Sequence, residues 1–85
     1  MNIYKYALTP AATLQLPEDA VFLCVQTQRG DPQMWFLVNE HAPKITRNFI
    51  VRATGEQFTQ GGPERYLGTF QLEASSLVFH AFELL

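Results

Sequence analysis

Short runs of apolar, β-branched and aromatic residues alternate with polar punctuation along the whole chain. The punctuation is rich in Pro, Gly and Asp and includes Thr9-Pro10, Arg29-Gly30-Asp31-Pro32 and Gly61-Gly62-Pro63. Such residues mark turns, whereas Val, Ile, Phe, Tyr and Thr favour strands. Apolar residues nowhere keep the helical spacing of i, i+3, i+4 and i+7 over three turns. The pattern therefore predicts consecutive strands and no long helix.

The runs between the turn signals predict strands over residues 3–8, 13–16, 20–28, 33–39, 45–54, 66–72 and 77–84. Because short loops join neighbouring runs, we expect antiparallel pairing, with a four-residue hairpin loop at Arg29-Gly30-Asp31-Pro32 and a turn around Ala74-Ser75. The predicted fold is all-β: a small antiparallel sandwich or barrel-like domain of about five to seven strands. A length of 85 residues fits a single β domain over 1–85.

Alternation along a strand assigns its side chains to opposite faces of the sheet. In the third run it places Val21, Leu23 and Val25 on one face and Phe22 and Cys24 on the other. Strict alternation therefore predicts that the side chains of Val21 and Val25 point the same way, and that Phe22 points away from them.

The composition provides enough hydrophobic residues for a core and argues against nucleic acid as a general partner. Hydrophobic residues make up 47% of the chain and charged residues only 16%, below the roughly 25% typical of globular domains. With so few charges, we expect some apolar surface to be buried between chains. The formal net charge is −2 and the six Lys and Arg residues are scattered. Nonspecific binding to nucleic acid through phosphate contacts is therefore disfavoured.

Cysteine use and hydropathy point to the cytoplasm. The single cysteine, Cys24, excludes an internal disulfide framework and fits a reducing compartment. The first residues lack the pattern of a signal peptide, and no apolar stretch approaches the roughly 20 residues of a membrane span. We expect a cytoplasmic protein without a membrane partner.

Signatures of catalysis are missing from the chain. There is no nucleophile elbow, no phosphate-binding Walker loop, no dinucleotide-binding GxGxxG and no HExxH. Two histidines and one cysteine, far apart, do not form the pattern of a zinc site. We expect a protein that is not an enzyme and that needs neither a metal nor a cofactor.

The glycine-rich loop between residues 55 and 65 is the best candidate for a binding site, because long loops in compact domains are often functional. Its backbone amides could cup an anion, with charge from the arginines at its ends and stacking from nearby aromatic residues. The alternative is a plain connector. The residues proposed to bind a ligand or partner are Arg52, Gln57, Gly61, Gly62, Arg65, Tyr66 and Trp35.

Three further features each have a simpler structural explanation. Arg29-Gly30-Asp31 spells the integrin tripeptide, but a hairpin turn needs the same residue types. Cys24 lies in an apolar run without a neighbouring cation, as expected for a small packed side chain. His80 lies among apolar residues, which is typical of a packed histidine, although an imidazole group leaves room for a functional role.

The order of short motifs along the chain resembles a family of small proteins encoded by tailed phages and prophages. The motifs are Lys5-Tyr6, Leu16-Pro17, Val25-Gln26, Trp35 with Leu37-Val38, Thr54-Gly55, Arg65-Tyr66-Leu67-Gly68-Thr69 and the segment 77–83. That family has no known function, so the resemblance transfers no binding or catalytic residue. It implies a phage accessory protein that works in bacterial cytoplasm.

Three classes of function follow as expectations. The first is a non-enzymatic accessory protein that binds and blocks or sequesters a host component. The second is a sponge for nucleotide signals, using Trp35 or Tyr66 for stacking and Arg52 or Arg65 for phosphate. The third is a minor structural component of the virion.

The last run, LVFHAFELL, is apolar on both faces and predicts self-association. A terminal strand usually leaves one face in water, so the second face needs a cover. The first run, with Tyr4, Tyr6 and Leu8, could fold over that face. The low charge content favours a partner instead, since a large apolar patch usually marks an interface. We expect a homo-oligomer, most simply a two-fold dimer. The residues predicted at the interface are Val78, His80, Phe82 and Leu84.

Overall fold

The structure, a computed structural model, describes residues 1–72 and 76–85 and confirms the all-β fold. Within these ranges the strands are β1 (Asn2–Ala7), β2 (Ala11–Pro17), β3 (Val21–Gln28), β4 (Asp31–Val38), β5 (Lys44–Ala53), β6 (Glu64–Gln71) and β7 (Val78–Leu84). No helix long and apolar enough to cross a membrane occurs in them. The turn predicted around Ala74-Ser75 lies outside the described residues.

The strands form two open sheets that pack face to face. One sheet has three strands in the order β1-β4-β3, and the other has four in the order β2-β5-β7-β6. Every pairing is antiparallel. Because neither sheet closes on itself, the domain is a sandwich and not a barrel.

The core lies between the sheets and is built around one phenylalanine. The ring of Phe36, on the central strand of the three-stranded sheet, is fully buried. Its centroid lies 5.7 Å from that of Tyr6, 5.5 Å from that of Phe22 and 6.0 Å from that of Phe49, each in an edge-on arrangement. Phe49 belongs to the four-stranded sheet, so this cluster joins the two layers through favourable aromatic geometry.

A bulge in β3 contradicts the strict alternation predicted for that strand. The register with β4 shifts between Phe22 and Cys24, which leaves Leu23 as the extra residue. A bulge reverses the phase of the side chains that follow it. Phe22 and Val25 consequently both reach the core, whereas Val21 and Leu23 are exposed. The prediction that Val21 and Val25 share a face was therefore wrong.

The hairpin between β3 and β4 has a two-residue turn and not the predicted four-residue loop. Gln28 pairs with Asp31, so β3 and β4 stay paired up to the two turn residues, Arg29 and Gly30. Both turn residues have positive φ, 52° at Arg29 and 84° at Gly30. Positive φ at both central positions defines the type I′ turn, whose twist matches that of paired strands.

A glycine allows the two sheets to approach where β3 crosses β6. The register of β6 with β7 also shifts, between Tyr66 and Gly68. A Cβ atom built on Gly68 would lie 2.8 Å from Cγ1 of Val25, on the opposite sheet. That distance is shorter than a carbon contact allows, so only glycine fits at this crossing.

A buried ion pair occupies the other end of the interior. Arg47 Nε donates to Glu83 Oε2 at 2.6 Å and Arg47 Nη2 donates to Glu83 Oε1 at 2.8 Å. Arg47 Nη1 donates to the carbonyl of Ala20 at 2.8 Å, and the guanidinium lies 5.4 Å from the centroid of Phe36. The two side chains are only 13% and 5% exposed. One arginine thus links β5, β7, the segment before β3 and the opposite sheet.

We expect Gly68→Ala to destabilise the domain by about 1–3 kcal/mol, because the new methyl group overpacks against Val25. The measurement is urea unfolding at neutral pH. Gly62→Ala is the matched control, since nothing lies within 4 Å of its Cβ position. It should change the free energy of unfolding by less than about 0.5 kcal/mol. Equal effects of the two substitutions would contradict the close approach.

We expect Arg47→Met to lower the free energy of unfolding by about 3 kcal/mol, because it leaves the Glu83 carboxylate buried without its main partner. The double variant Arg47→Met with Glu83→Leu should recover much of this loss, since it removes the stranded charge as well. Chemical denaturation of the three proteins measures both effects. A double variant less stable than the single variant would show that packing by the two side chains, and not the stranded charge, accounts for the loss of stability.

Candidate functional site

The outer surface of the four-stranded sheet gathers most of the residues proposed from the sequence. Cross-strand pairing aligns Ile50, Phe82 and Tyr66 in one row across β5, β7 and β6. The next row begins with Arg52 and His80, and the loop between β5 and β6 lies beside it. The aromatic face, as we name this surface, consists of Ile50, Arg52, Phe58, Tyr66, His80, Phe82 and Leu84.

Arg52 is the fixed centre of the aromatic face. Its Nη1 and Nη2 donate to the two carboxylate oxygens of Glu64 at 2.5 and 2.9 Å. The guanidinium carbon lies 3.7 Å from the ring centroid of Phe58 and 4.9 Å from that of Phe82. Both charged side chains are only 6% exposed. A bidentate ion pair covered by two rings holds the arginine in one orientation.

The ion pair shifts the titration of both partners. Hydrogen bonds from Arg52 hold the pKa of the Glu64 carboxyl below its usual value, and the same bonds raise the pKa of the Arg52 guanidinium. Both groups therefore stay charged across the neutral range, and the guanidinium has its two outer nitrogens engaged.

The loop from Gly55 to Pro63 is attached to the sheet by one aromatic ring, one carboxylate and backbone hydrogen bonds at both of its ends. Phe58 lies over Arg52, yet half of the Phe58 residue stays exposed. Glu56 Oε1 accepts the N–H of Ala53 at 3.2 Å. Gln57, Gly61 and Gly62 are exposed along the rest of the loop. The loop thus forms a cover for Arg52, with its glycines open to solvent.

His80 belongs to a chain of hydroxyl groups that runs across the face. Its Nε2 is hydrogen-bonded to Thr54 Oγ1 at 2.7 Å and its Nδ1 to Thr69 Oγ1 at 2.9 Å. Thr69 Oγ1 is in turn hydrogen-bonded to the phenol of Tyr66. With both ring nitrogens bonded to neutral hydroxyls, the imidazole is held in place on the sheet.

The remaining proposed residues do not join this cluster. Arg65 follows Glu64 on β6 but points to the opposite face, where its Nη1 lies 3.9 Å from the Glu83 carboxylate. Trp35 is half-buried on the outer surface of the other sheet, between Lys5 and Cys24. The structure therefore separates Arg52, Arg65 and Trp35 onto three surfaces, and a ligand could not use all three at once.

The four residues proposed for self-association lie on the outward side of β7, with Phe79 and Ala81 on the core side. Arg52 and the ring of Tyr66, whose centroid is 5.6 Å from that of Phe82, cover part of this outward side. Phe82 is consequently half-buried, whereas Leu84 stays 40% exposed. β7 lies between β5 and β6, so only its face can meet a partner.

An apolar cavity of about 280 Å³ lies between the sheets, near the β3–β4 hairpin. The described residues that line it are Leu8, Pro10, Pro32, Val51, Phe70, Leu72 and Phe79. A catalytic pocket usually adds a few convergent polar side chains to such a lining. No described lining residue carries one. Within residues 1–72 and 76–85, no group of His, Cys, Asp and Glu side chains comes together as a metal site.

Sequence reasoning identified Arg52 and Tyr66 but missed Glu64 and Phe58. Arg52 and Glu64 meet through the pairing of β5 and β6 with β7 between them, and a single sequence does not show which strands are neighbours. The one available signal was the pair of opposite charges at the two ends of the loop, which frames the aromatic Phe58.

Comparison with known proteins places the chain in a family. A family model described as "Domain of unknown function (DUF7352)" matches residues 1–85. The chain belongs to this family. Searches of the curated proteins and of the solved structures found no match. Membership thus groups the chain with its relatives and leaves its activity to be argued from the aromatic face.

We expect the stability of the domain to depend on pH through Glu64. Because the pKa of Glu64 is lowered by folding, its contribution is complete at neutral pH and is lost as the pH falls below about 4. Glu64→Gln should therefore be less stable than wild type at pH 7, and the two proteins should converge on acidification. Urea unfolding from neutral to acidic pH measures the difference.

Glu18→Gln is the control for this experiment, because it removes one carboxyl at an exposed position. The control should follow the wild-type profile. A constant difference between wild type and Glu64→Gln over the whole pH range would contradict the assigned role of the charge.

Proposed function

We propose that the protein is a non-enzymatic binding protein of phage or prophage origin that blocks or sequesters a protein of the bacterial host. The observation that carries the proposal is the aromatic face. Its residue types are those that dominate binding energy at protein interfaces, where Tyr, Trp and Arg are enriched among hot spots and Phe is common in the interface core.

Several large apolar and aromatic side chains on this face are well exposed to solvent. Tyr66 is 58% exposed, Phe58 50% and Leu84 40%, and they surround an arginine that is already held in place. Pre-ordered side chains lose little conformational entropy on binding. The hydroxyl chain through His80 adds polar groups beside the apolar ones, as in the rim of an interface.

The cellular setting of the proposal comes from the resemblance of motifs such as Arg65-Tyr66-Leu67-Gly68-Thr69 to those of phage and prophage proteins. A protein of that origin would act in the bacterial cytoplasm. The resemblance implies an accessory protein that binds a host protein or sequesters a small ligand, and an exposed aromatic surface favours a protein partner.

The nucleotide-binding alternative has less geometric support. It assigned phosphate to Arg52 or Arg65, but the Arg52 guanidinium is engaged by Glu64, and Arg65 points to the opposite face. Calorimetry with a panel of cyclic and linear nucleotides tests it directly. The virion alternative predicts that the protein is found in purified particles by mass spectrometry.

The test of the leading proposal is affinity capture from a bacterial lysate, followed by calorimetry with the purified partner. Tyr66→Ala should weaken binding by about 10-fold to 100-fold, because it truncates an exposed hot-spot residue. Val21→Ala is the matched control, since Val21 is 52% exposed on the outer surface of the other sheet. It should leave the affinity unchanged.

Two results would count against the proposal. One is that the wild-type protein captures no partner at any salt concentration. The other is a partner whose affinity falls for Val21→Ala and not for Tyr66→Ala, which would move the binding surface to the three-stranded sheet. Circular dichroism of both variants confirms that the fold is kept.

A further inference from the structure

The described part of the chain has four edge strands, β1 and β3 in one sheet and β2 and β6 in the other. An edge strand presents unpaired N–H and C=O groups that can pair with another chain. Proteins usually protect such edges with charged residues, bulges, prolines or a covering segment. The four edges of this sandwich differ in how far they are protected.

Three of these four edges carry a protective feature. Lys5 places a positive charge in the middle of β1. β3 and β6 each contain a bulge, and the two strands pack against each other on the same side of the sandwich. β6 also begins with the charged pair Glu64-Arg65.

β2 has no such feature until its last residue. Its sequence, AATLQLP, contains no charge, and its register with β5 runs from Ala11 to Pro17 without a shift. Proline occurs only at the end of the strand. β2 is therefore a regular, uncharged edge on the side of the sandwich opposite the bulged strands.

The backbone bonds at both ends of β2 show which of its residues face β5. The carbonyl of Pro10 accepts the N–H of Val51 at 2.9 Å, and the N–H of Glu18 donates to the carbonyl of Pro43 at 2.7 Å. In an antiparallel pair, alternate residues direct both backbone groups to the partner strand. Even-numbered residues of β2 therefore face β5.

The odd-numbered residues of β2 consequently direct their N–H and C=O groups away from the sheet. Thr13 and Gln15 have exposed side chains, and these bond to β5 across the outer surface, at 2.9 Å to Asn48 and 2.7 Å to Thr46. The side chains are thus held along the sheet and do not fold over the edge. The Ala11 carbonyl accepts the Thr9 hydroxyl at 3.3 Å and has a second lone pair left. The other outward N–H and C=O groups from Ala11 to Gln15 bond to no described residue.

We propose that two copies of the chain pair through β2 in antiparallel orientation, with the two-fold axis at Thr13. Pro17 sets this register, because it has no N–H and its carbonyl already accepts the N–H of Ala20 at 3.1 Å. Centring on Thr13 pairs Ala11 with Gln15 of the second copy and leaves Pro17 outside. The junction then contains about six backbone hydrogen bonds.

Pairing through β2 has two structural consequences. The half-buried Leu14 gains the Ala12 side chain of the second copy as a neighbour on the core side. The two four-stranded sheets become one continuous sheet, with both aromatic faces on the same side. This inference goes beyond the proposed function, since it requires no host partner.

The first test is light scattering at micromolar concentrations, where wild type should have twice the mass of the chain. Thr13→Pro removes one outward N–H at the axis and should weaken dimerisation by about 100-fold or more, because the symmetric junction loses the bond twice and gains two proline rings. Ala7→Pro makes the same change on the protected strand β1 and should stay dimeric. Leu84→Glu tests stacking through the aromatic face and should also stay dimeric.

The second test is amide hydrogen exchange of wild type, which does not depend on any variant folding. In the dimer, the amides of Thr13 and Gln15 should exchange more slowly than those of Lys5 and Ala7. The amides of Lys5 and Ala7 are the matched reference because they also face outward, on β1: the carbonyl of Pro32 accepts the N–H of Leu8, so the even-numbered residues of β1 face β4. The protection should disappear on dilution to monomer.

Three results would overturn the inference. They are a wild type that stays monomeric, a dimer that survives Thr13→Pro, and a dimer in which Thr13 and Gln15 exchange as fast as Lys5 and Ala7. Loss of the dimer with Leu84→Glu and not with Thr13→Pro would assign self-association to the aromatic face. A host partner that binds both the dimer and the Thr13→Pro monomer would leave the proposed function intact in each case.

Discussion

The buried ion pair of Arg47 and Glu83 connects segments that are far apart in the sequence. Arg47 lies on β5, Glu83 on β7, Ala20 precedes β3, and the guanidinium also lies over Phe36 of the opposite sheet. Burying charges between two sheets costs desolvation energy, which good ion-pair geometry and further hydrogen bonds can repay. Here the guanidinium makes three hydrogen bonds, so the register of β5 with β7 and the placement of the second sheet are set together.

The crossing of β3 and β6 imposes a different constraint, which is close approach between the two sheets. Each of the two strands bends at a bulge, and glycine at position 68 leaves room for Val25. The bulges also interrupt the regular row of outward backbone groups along both strands. The domain is therefore asymmetric, with two bulged edges packed together on one side and the regular edge of β2 on the other.

The aromatic face uses the same principle as the core pair but on the outside of a sheet. Arg52 and Glu64 form a bidentate pair, and Phe58 and Phe82 cover the guanidinium. This arrangement neutralises the arginine and keeps aromatic rings at the surface. A surface of that kind fits a protein partner better than a phosphate, because a phosphate needs a cation with free donors.

Local sequence patterns are enough to predict the fold class and the two apolar faces of the last strand. Period-2 alternation and turn residues act over a few positions, so the strands and the outward set of Val78, His80, Phe82 and Leu84 could be predicted from neighbouring residues alone. Arg52 and Tyr66 could also be placed near the glycine-rich loop for that reason.

Strand order, the bulges and the ion pairs, in contrast, depend on contacts between segments that are distant in the sequence. Arg47 and Glu83 are 36 positions apart, and Arg52 and Glu64 meet across a strand that comes later in the chain. The exposed edge of β2 likewise exists only because β5 pairs with β7 on its other side. Such features depend on which distant segments pair and in which register, and that is settled by the packing of the whole sandwich and not by any local pattern.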